Sequence, residues 1–249
     1  MIFFFSFFIA KVLVVSGHPA DIAKYLEIID LRTDPTLEHD VFEDKMAQRF
    51  GGYGGILQNK LFLCGGFDSF YSESPQKCQI VLPKYKESCP LLEVRINASS
   101  VQISQDTLWI TGGKGRHTED PDKKTTELVS LNQPTIKGIE LPFSIHSHSM
   151  VAVDQHTIYL IGGALDSIAA SKKTWVIDPT NNFDLKPGPS LQVGRHKHSS
   201  SKITINGKIY LVVAGGMMKS WGGMLDSVEL LDTKSPDQGW ITGKTFKRI

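Results

Sequence analysis

A short β-branched or aromatic run ending in a glycine step recurs five times along the chain. It reads Val12-Leu13-Val14-Val15-Ser16-Gly17, Leu61-Phe62-Leu63-Cys64-Gly65-Gly66, Leu108-Trp109-Ile110-Thr111-Gly112-Gly113, Ile158-Tyr159-Leu160-Ile161-Gly162-Gly163 and Tyr210-Leu211-Val212-Val213-Ala214-Gly215-Gly216. The last glycines fall at positions 17, 66, 113, 163 and 216, at intervals of 49, 47, 50 and 53 residues. So regular a period, carried by short strands, is that of one supersecondary unit stacked repeatedly. No single unit of this kind buries its own apolar face, so neighbours must cover one another.

Each unit reads as four strands. A polar loop follows the glycine step and leads to a second apolar run: Tyr25–Asp30, Cys78–Leu82, Thr126–Leu131, Thr174–Asp178 or Ser227–Asp232. Three of these end in Asp after an aliphatic pair, and an Asx side chain caps a turn. A bulky aromatic further on, Phe42, Phe183 or Trp240, is expected on the outermost strand. Tyr53–Gln58, Ser99–Ser104, Ser149–Asp154 and Ser199–Ile205 then carry the chain back inward. Asn206-Gly207 is a strong hairpin signal before the last glycine run. The doublets Gly65-Gly66, Gly112-Gly113, Gly162-Gly163 and Gly215-Gly216 are expected where sheets pack near a common axis and a Cβ has no room.

Four-stranded antiparallel units repeated about an axis make an all-β propeller of about five blades, a single domain over residues 11–249. Only four inward strands are counted against five glycine-ended runs. The first blade therefore lacks its inner strand, and the ring is expected to be open or truncated at the C-terminus.

In their order, the residues resemble the Kelch repeat family. Gly162-Gly163, Trp175–Asp178, Phe183, Arg195, His198 and Ser199 follow its pattern, as do Gly215-Gly216, Val228–Asp232 and Trp240. The steps at Gly17 and Gly113 are degenerate, with Ser16 in place of a glycine and no aromatic in the outer segment of the third repeat. The stretch from Phe50 to Cys78 looks like secreted invertebrate Kelch proteins. That resemblance implies a bridge between adjacent strands through Cys64 and Cys78. The cysteine positions alone leave two readings: Cys64, Cys78 and Cys89 lie within one repeat, which suits either one local disulfide with a spare thiol or three reduced buried thiols.

The first ten residues, MIFFFSFFIA, suit a signal segment cut near Ala10, or else an apolar strand of the fold. Secretion is the expected location, with a cytoplasmic protein as the alternative. Formal net charge is +1, which gives no electrostatic case for nucleic acid or for a membrane surface. Nothing after residue 10 is long and apolar enough to span a bilayer.

Alternate loops of a meander emerge on one face, so the loops after the glycine steps share a rim with the entries to the inner strands. That rim is expected to carry Phe70, Tyr71, Arg116, His117, His146, Arg195, His196, Lys219 and Trp221 as a binding face. His146/His148 and His196/His198 form i, i+2 imidazole pairs on one side of an extended segment, a metal-like spacing. They lack an accompanying carboxylate or cysteine, and a His-Ser pair ahead of an inner strand also serves to bond the turn. Asn97-Ala98-Ser99 is a glycosylation sequon. No Gly-x-Ser-x-Gly or phosphate-loop motif occurs.

The expected function is thus a non-catalytic module for a protein or glycan ligand, without a cofactor. The alternatives are a sugar-active or metal-assisted enzyme using the His pairs and Arg195, or an intracellular Kelch adaptor whose recruiting domain would precede the chain.

Overall fold

The computed structural model describes residues 2–7, 11–16, 25–30, 39–43, 49–58, 60–68, 76–82, 86–115, 120–131, 133–165, 169–219 and 222–243. Among them the only helical element is a single 3-10 turn, Pro236–Gln238; the rest is strand, turn and loop. None of them forms a helix able to cross a membrane.

Five four-stranded antiparallel sheets follow one another along the chain. The first holds Ile2–Phe7, Lys11–Ser16, Tyr25–Asp30 and His39–Glu43, and the second Tyr53–Leu57, Lys60–Cys64, Lys77–Leu82 and Lys86–Pro90. The third is built of Ser99–Gln102, Thr107–Thr111, Thr126–Ser130 and Ile136–Lys137. Ser149–Ala152, Ile158–Ile161, Thr174–Asp178 and Asp184–Pro187 make the fourth, and Ser199–Ile205, Lys208–Ala214, Val228–Asp232 and Ile241–Thr242 the fifth. In each, chain order is spatial order from first strand to last, and the glycine-ended strand comes second. Asn206 and Gly207 both take positive φ between paired Ile205 and Lys208, the geometry a two-residue hairpin with right-handed twist requires.

The second to fifth sheets form a four-bladed, propeller-like arrangement, with their first strands side by side: Tyr53–Leu57, Ser99–Gln102, Ser149–Ala152, then Ser199–Ile205. Three apolar clusters fill the three interfaces. Phe62, Cys64 and Ile80 meet Leu108 and Ile110; Trp109 meets Leu160 and Ile177; Tyr159 and Ile161 meet Leu211 and Trp240. Packing between blades is thus described for four, not for the five counted in the sequence.

Two expectations change here. The first sheet does have a first strand: Ile2–Phe7 pairs with Lys11–Ser16 from Ile2↔Ser16 to Phe7↔Lys11. In the full chain the apolar leader candidate is thus paired as a strand, the second of its two readings. Phe183 and Trp240 do not lie on the outermost strands but just ahead of them, turned into the interfaces. Trp240 donates its indole N–H to Pro189 O at 2.8 Å, and Phe183 meets the Trp109 ring at 4.7 Å.

Cys64 and Cys78 form a disulfide between paired neighbours on the second and third strands of their sheet. Cys89 stays outside the disulfide and is half-buried, its thiol donating to Ser130 O of the next sheet.

Candidate binding face

The entry to each first strand repeats in register. Ser99, Ser149 and Ser199 pair with the last residue before each glycine doublet, so Arg95, Ile145 and Arg195 hold equivalent places, as do Asn97, Ser147 and Lys197. Two residues of each entry decide what the site is made of.

The first is the arginine. The Arg95 guanidinium is fully buried and donates from Nε to Glu127 Oε1 at 2.7 Å, and from Nη1 to Gly112 O and Thr125 O. Glu127 also accepts the Leu92 and Glu93 backbone N–H groups. Arg195 repeats this with Glu229 Oε1 at 2.6 Å and with Gly215 O and Ser227 O, while Glu229 accepts Gln192 N–H and Val193 N–H. Each pair clamps the incoming connection onto the blade it is about to build. In the fourth sheet the same two places hold Ile145 and Trp175, packed in one apolar cluster. Both charges are exchanged together, as the cost of leaving one buried charge unpaired demands.

The second is the residue two further on. Gly51, Asn97, Ser147 and Lys197 all have φ between +54° and +67°. Each passes a backbone hydrogen bond to the next: Asn97 N–H to Gly51 O at 2.7 Å, Ser147 N–H to Asn97 O at 2.7 Å, Lys197 N–H to Ser147 O at 2.8 Å. A stair of left-handed residues thus links successive blades. Because it is not extended, the His-x-His pairs do not share a side.

His148 and His198 go into the interfaces. The His148 Nε2 shares a hydrogen bond of 2.7 Å with Thr111 Oγ1 of the preceding sheet, and His198 Nε2 does the same with Ser149 Oγ. Burial, with His146 and His198 nearby, pushes the His148 imidazole down to about 3; burial and Arg195 push His198 equally far. Both are neutral inter-blade struts. The glycines ahead of them make room. A Cβ on Gly162 would stand 2.5 Å from Arg195 O and 2.8 Å from His198 Cε1, and one on Gly112 would collide with Ile145 O. Gly65 is confined in the same way by Arg95 O, whereas at Gly215 the nearest atom would be Leu225 O at 3.6 Å. The second glycines donate across the same gap: Gly66 N–H to Arg95 O, Gly113 N–H to Ile145 O, Gly163 N–H to Arg195 O. Gly216 has its own entry close by, with His196 O at 2.7 Å from a built Cβ.

His146 and His196 lie nearer the loops. His146 Nε2 is 3.5 Å from Asp122 Oδ2 and its Nδ1 is 3.0 Å from Ser147 Oγ. An acid, an imidazole and a hydroxyl in this order resemble a nucleophile relay. Ser147 is only 1% exposed, however, so no substrate reaches its hydroxyl. Burial and Lys114 push the His146 imidazole down to about 3, which makes it a poor base. Among the described residues, no three His, Cys, Asp or Glu side chains gather in a group fit for a metal.

The rim expected from the sequence is therefore redrawn. Arg195, His146 and His196 are buried, because the clamp, the stair and the interfaces use them. Lys219 is exposed on the loop after Gly216, beside Met218 and Met224. Phe70, Tyr71, Arg116, His117 and Trp221 lie outside the described residues. Asn97 of the sequon sits in the stair with its Oδ1 buried, not in an open loop. The residues overlooked were Leu91, Leu141 and Leu191, buried anchors of the three connections, and Glu127 and Glu229. Their signal was present: the leucines recur at the glycine period, and each Arg has a Glu in the same repeat. No family model matches the chain, and no curated protein does.

Proposed function

We propose that the chain is a secreted, non-catalytic Kelch-type propeller that binds a protein or glycan ligand on the face carrying the loops after the glycine steps. One observation carries this reading. The blades repeat one scaffold of clamps, struts and stair, yet the loops that follow the doublets have unrelated sequences: Phe67-Asp68, Lys114-Gly115, Ala164-Leu165 and Met217-Met218-Lys219. Constant support under variable loops is how binding surfaces are built on rigid folds. The catalytic alternative would draw on Arg195 and the His pairs, which are committed to internal partners.

The Cys64–Cys78 bridge supports an oxidising compartment. We count the first sheet as the fifth blade. Ile2–Phe7 lies beside Ser199–Ile205, and the fifth sheet's far side leaves Ile203 and Ile241 exposed, apolar surface that another sheet would cover. A leader cut after Ala10 would remove that strand, so N-terminal sequencing of the mature protein decides between the two: a retained Ile2–Phe7 keeps the complete fifth blade, and a start at Lys11 gives that strand up to the leader.

For the function itself, the folded protein is screened on a glycan array and against displayed extracellular proteins. Saturable binding weakened by Lys219→Glu supports the reading. Substrate turnover without any ligand, abolished by a chelator, overturns it.

A further inference from the structure

Three cysteines share one face of the second sheet. Cys64 and Cys78 bridge its second and third strands, and both are fully buried in the cluster against the third sheet. Cys89 lies on the fourth strand, beyond Cys78. Lys86 pairs with Ile80 and Glu87 with Gln79, but Pro90 then pairs with Lys77, so Ser88 and Cys89 together oppose Cys78 in a β-bulge. Uninterrupted alternation would aim position 89, three residues past the partner of Ile80, away from the face that carries Ile80 and Cys78. The extra residue turns it back. Its thiol donates to Ser130 O of the third sheet at 2.8 Å, and its side chain packs against the cluster that holds Cys64 and Cys78.

The row is ordered by exposure as well as by strand. Cys64 and Cys78 are 0% exposed, so a soluble thiol has no approach to either sulfur of the bridge, whereas Cys89 is half-buried. A disulfide opens by attack of a thiolate on one of its sulfurs, and access decides which thiol attacks. The thiol placed beside this bridge is Cys89, with Cys78 on the neighbouring strand and Cys64 one strand further on. Cys64 directly precedes Gly65-Gly66, whose N–H groups donate to Lys77 O at 3.2 Å and to Arg95 O at 3.0 Å. The bridge thus fastens the second blade where its loop begins.

We propose that Cys89 is the relay thiol through which soluble thiols reach the buried bridge, a redox-exchange site in the second blade. As the thiolate, Cys89 Sγ attacks Cys78 Sγ. The Cys78–Cys89 bond forms as the Cys64–Cys78 bond breaks, and Cys64 leaves as a thiolate and takes up the proton that Cys89 gave up. A soluble thiolate next attacks Cys89 Sγ, the accessible end of the new bridge; Cys78 leaves as a thiolate and is protonated. A second soluble thiol then displaces Cys89 from the mixed disulfide. In sum, two soluble thiols are oxidised to one disulfide and the bridge is reduced to two thiols. The reverse sequence closes the bridge in the folded protein with a soluble disulfide as oxidant. The exchange does not depend on what the loop face binds.

The test is the rate at which the folded protein loses its bridge in excess glutathione, with thiols counted by intact mass after acid quench, unfolding and alkylation. Each rate is divided by the rate in a water-soluble phosphine, which attacks a disulfide without a relay and so reports how often the fold opens. The ratio is expected to fall at least tenfold in Cys89→Ser, which keeps a hydroxyl for Ser130 O and removes the nucleophile. It should fall as far in parent protein whose Cys89 was alkylated beforehand in the folded state. A second readout is the exchanged isomer itself. Parent protein held at mildly alkaline pH without reductant, then digested by pepsin in acid, should yield a fraction with Cys78 linked to Cys89 and Cys64 reduced. Equal ratios in parent and Cys89→Ser, or no Cys78–Cys89 link, would each overturn the relay.

Discussion

Arg195 donates to Glu229 at 2.6 Å with both side chains sealed inside the last sheet. The pair lies 34 residues apart in the chain and fastens the connection from one blade to the next. Ile145 and Trp175 do the same work without charge one sheet earlier.

That comparison makes a prediction about coupling. Glu229→Ala and Arg195→Ala should each cost about 3–5 kcal/mol, because each strands a buried charge. Replacing both together by Ile and Leu should cost less than either single change. Urea unfolding of the three variants measures it; strictly additive losses would contradict the clamp.

Glycines of the doublets should differ from glycines of turns. Gly162→Ala forces a Cβ at φ +60° to 2.5 Å from Arg195 O, and about 3 kcal/mol or more of stability should go. Gly207, at φ +75° with open space around it, should cost only about 1 kcal/mol as Ala. Thermal melts of the two variants separate close packing from conformation.

Acid should loosen the blade interfaces. His148 and His198 have ordinary values of 6.5 and folded values near 3, so the folded state favours the neutral rings. Their contribution is complete above 6.5 and is lost as pH falls from there towards 3, at about 1.4 kcal/mol per pH unit for each ring. Stability measured at pH 7.5, 6 and 5 should fall accordingly. His148→Gln and His198→Gln should each flatten the slope, whatever they cost at neutral pH.

Thiol chemistry should count one and then three. In denaturant without reductant, alkylation should label Cys89 alone; after reduction it should also label Cys64 and Cys78. Closing a loop with a sequence separation of 14 should stabilise by about 3 kcal/mol, so Cys64→Ser combined with Cys89→Ser should lower the melting temperature and abolish its response to reductant. Intact-mass spectra and melts with and without reductant read both.

The strand order of each blade and the turn at Asn206-Gly207 were legible in the chain because they follow from short-range rules. Side chains alternate along a strand, and a residue without Cβ marks a turn or a close approach. The His pairs were misread for a local reason: Ser147 and Lys197 adopt positive φ, which breaks the assumed extension, and only the inter-blade hydrogen bonds impose that conformation.

Ile2–Phe7 reads equally as leader or strand until a partner is present, since an apolar hexamer carries no register of its own. Arg95, Arg195 and the histidines were visible as polar residues, but burial is a property of neighbours. What the order of amino acids determined by itself was the unit and its repetition. What the tertiary structure decided was which charges are spent holding blades together, as those of Arg95 and Arg195 are, and which, like that of Lys219, stay exposed beside the loops. The dividing line is range: strand and turn preferences act between adjacent residues, whereas desolvation and ion pairing depend on chain segments that only folding brings together.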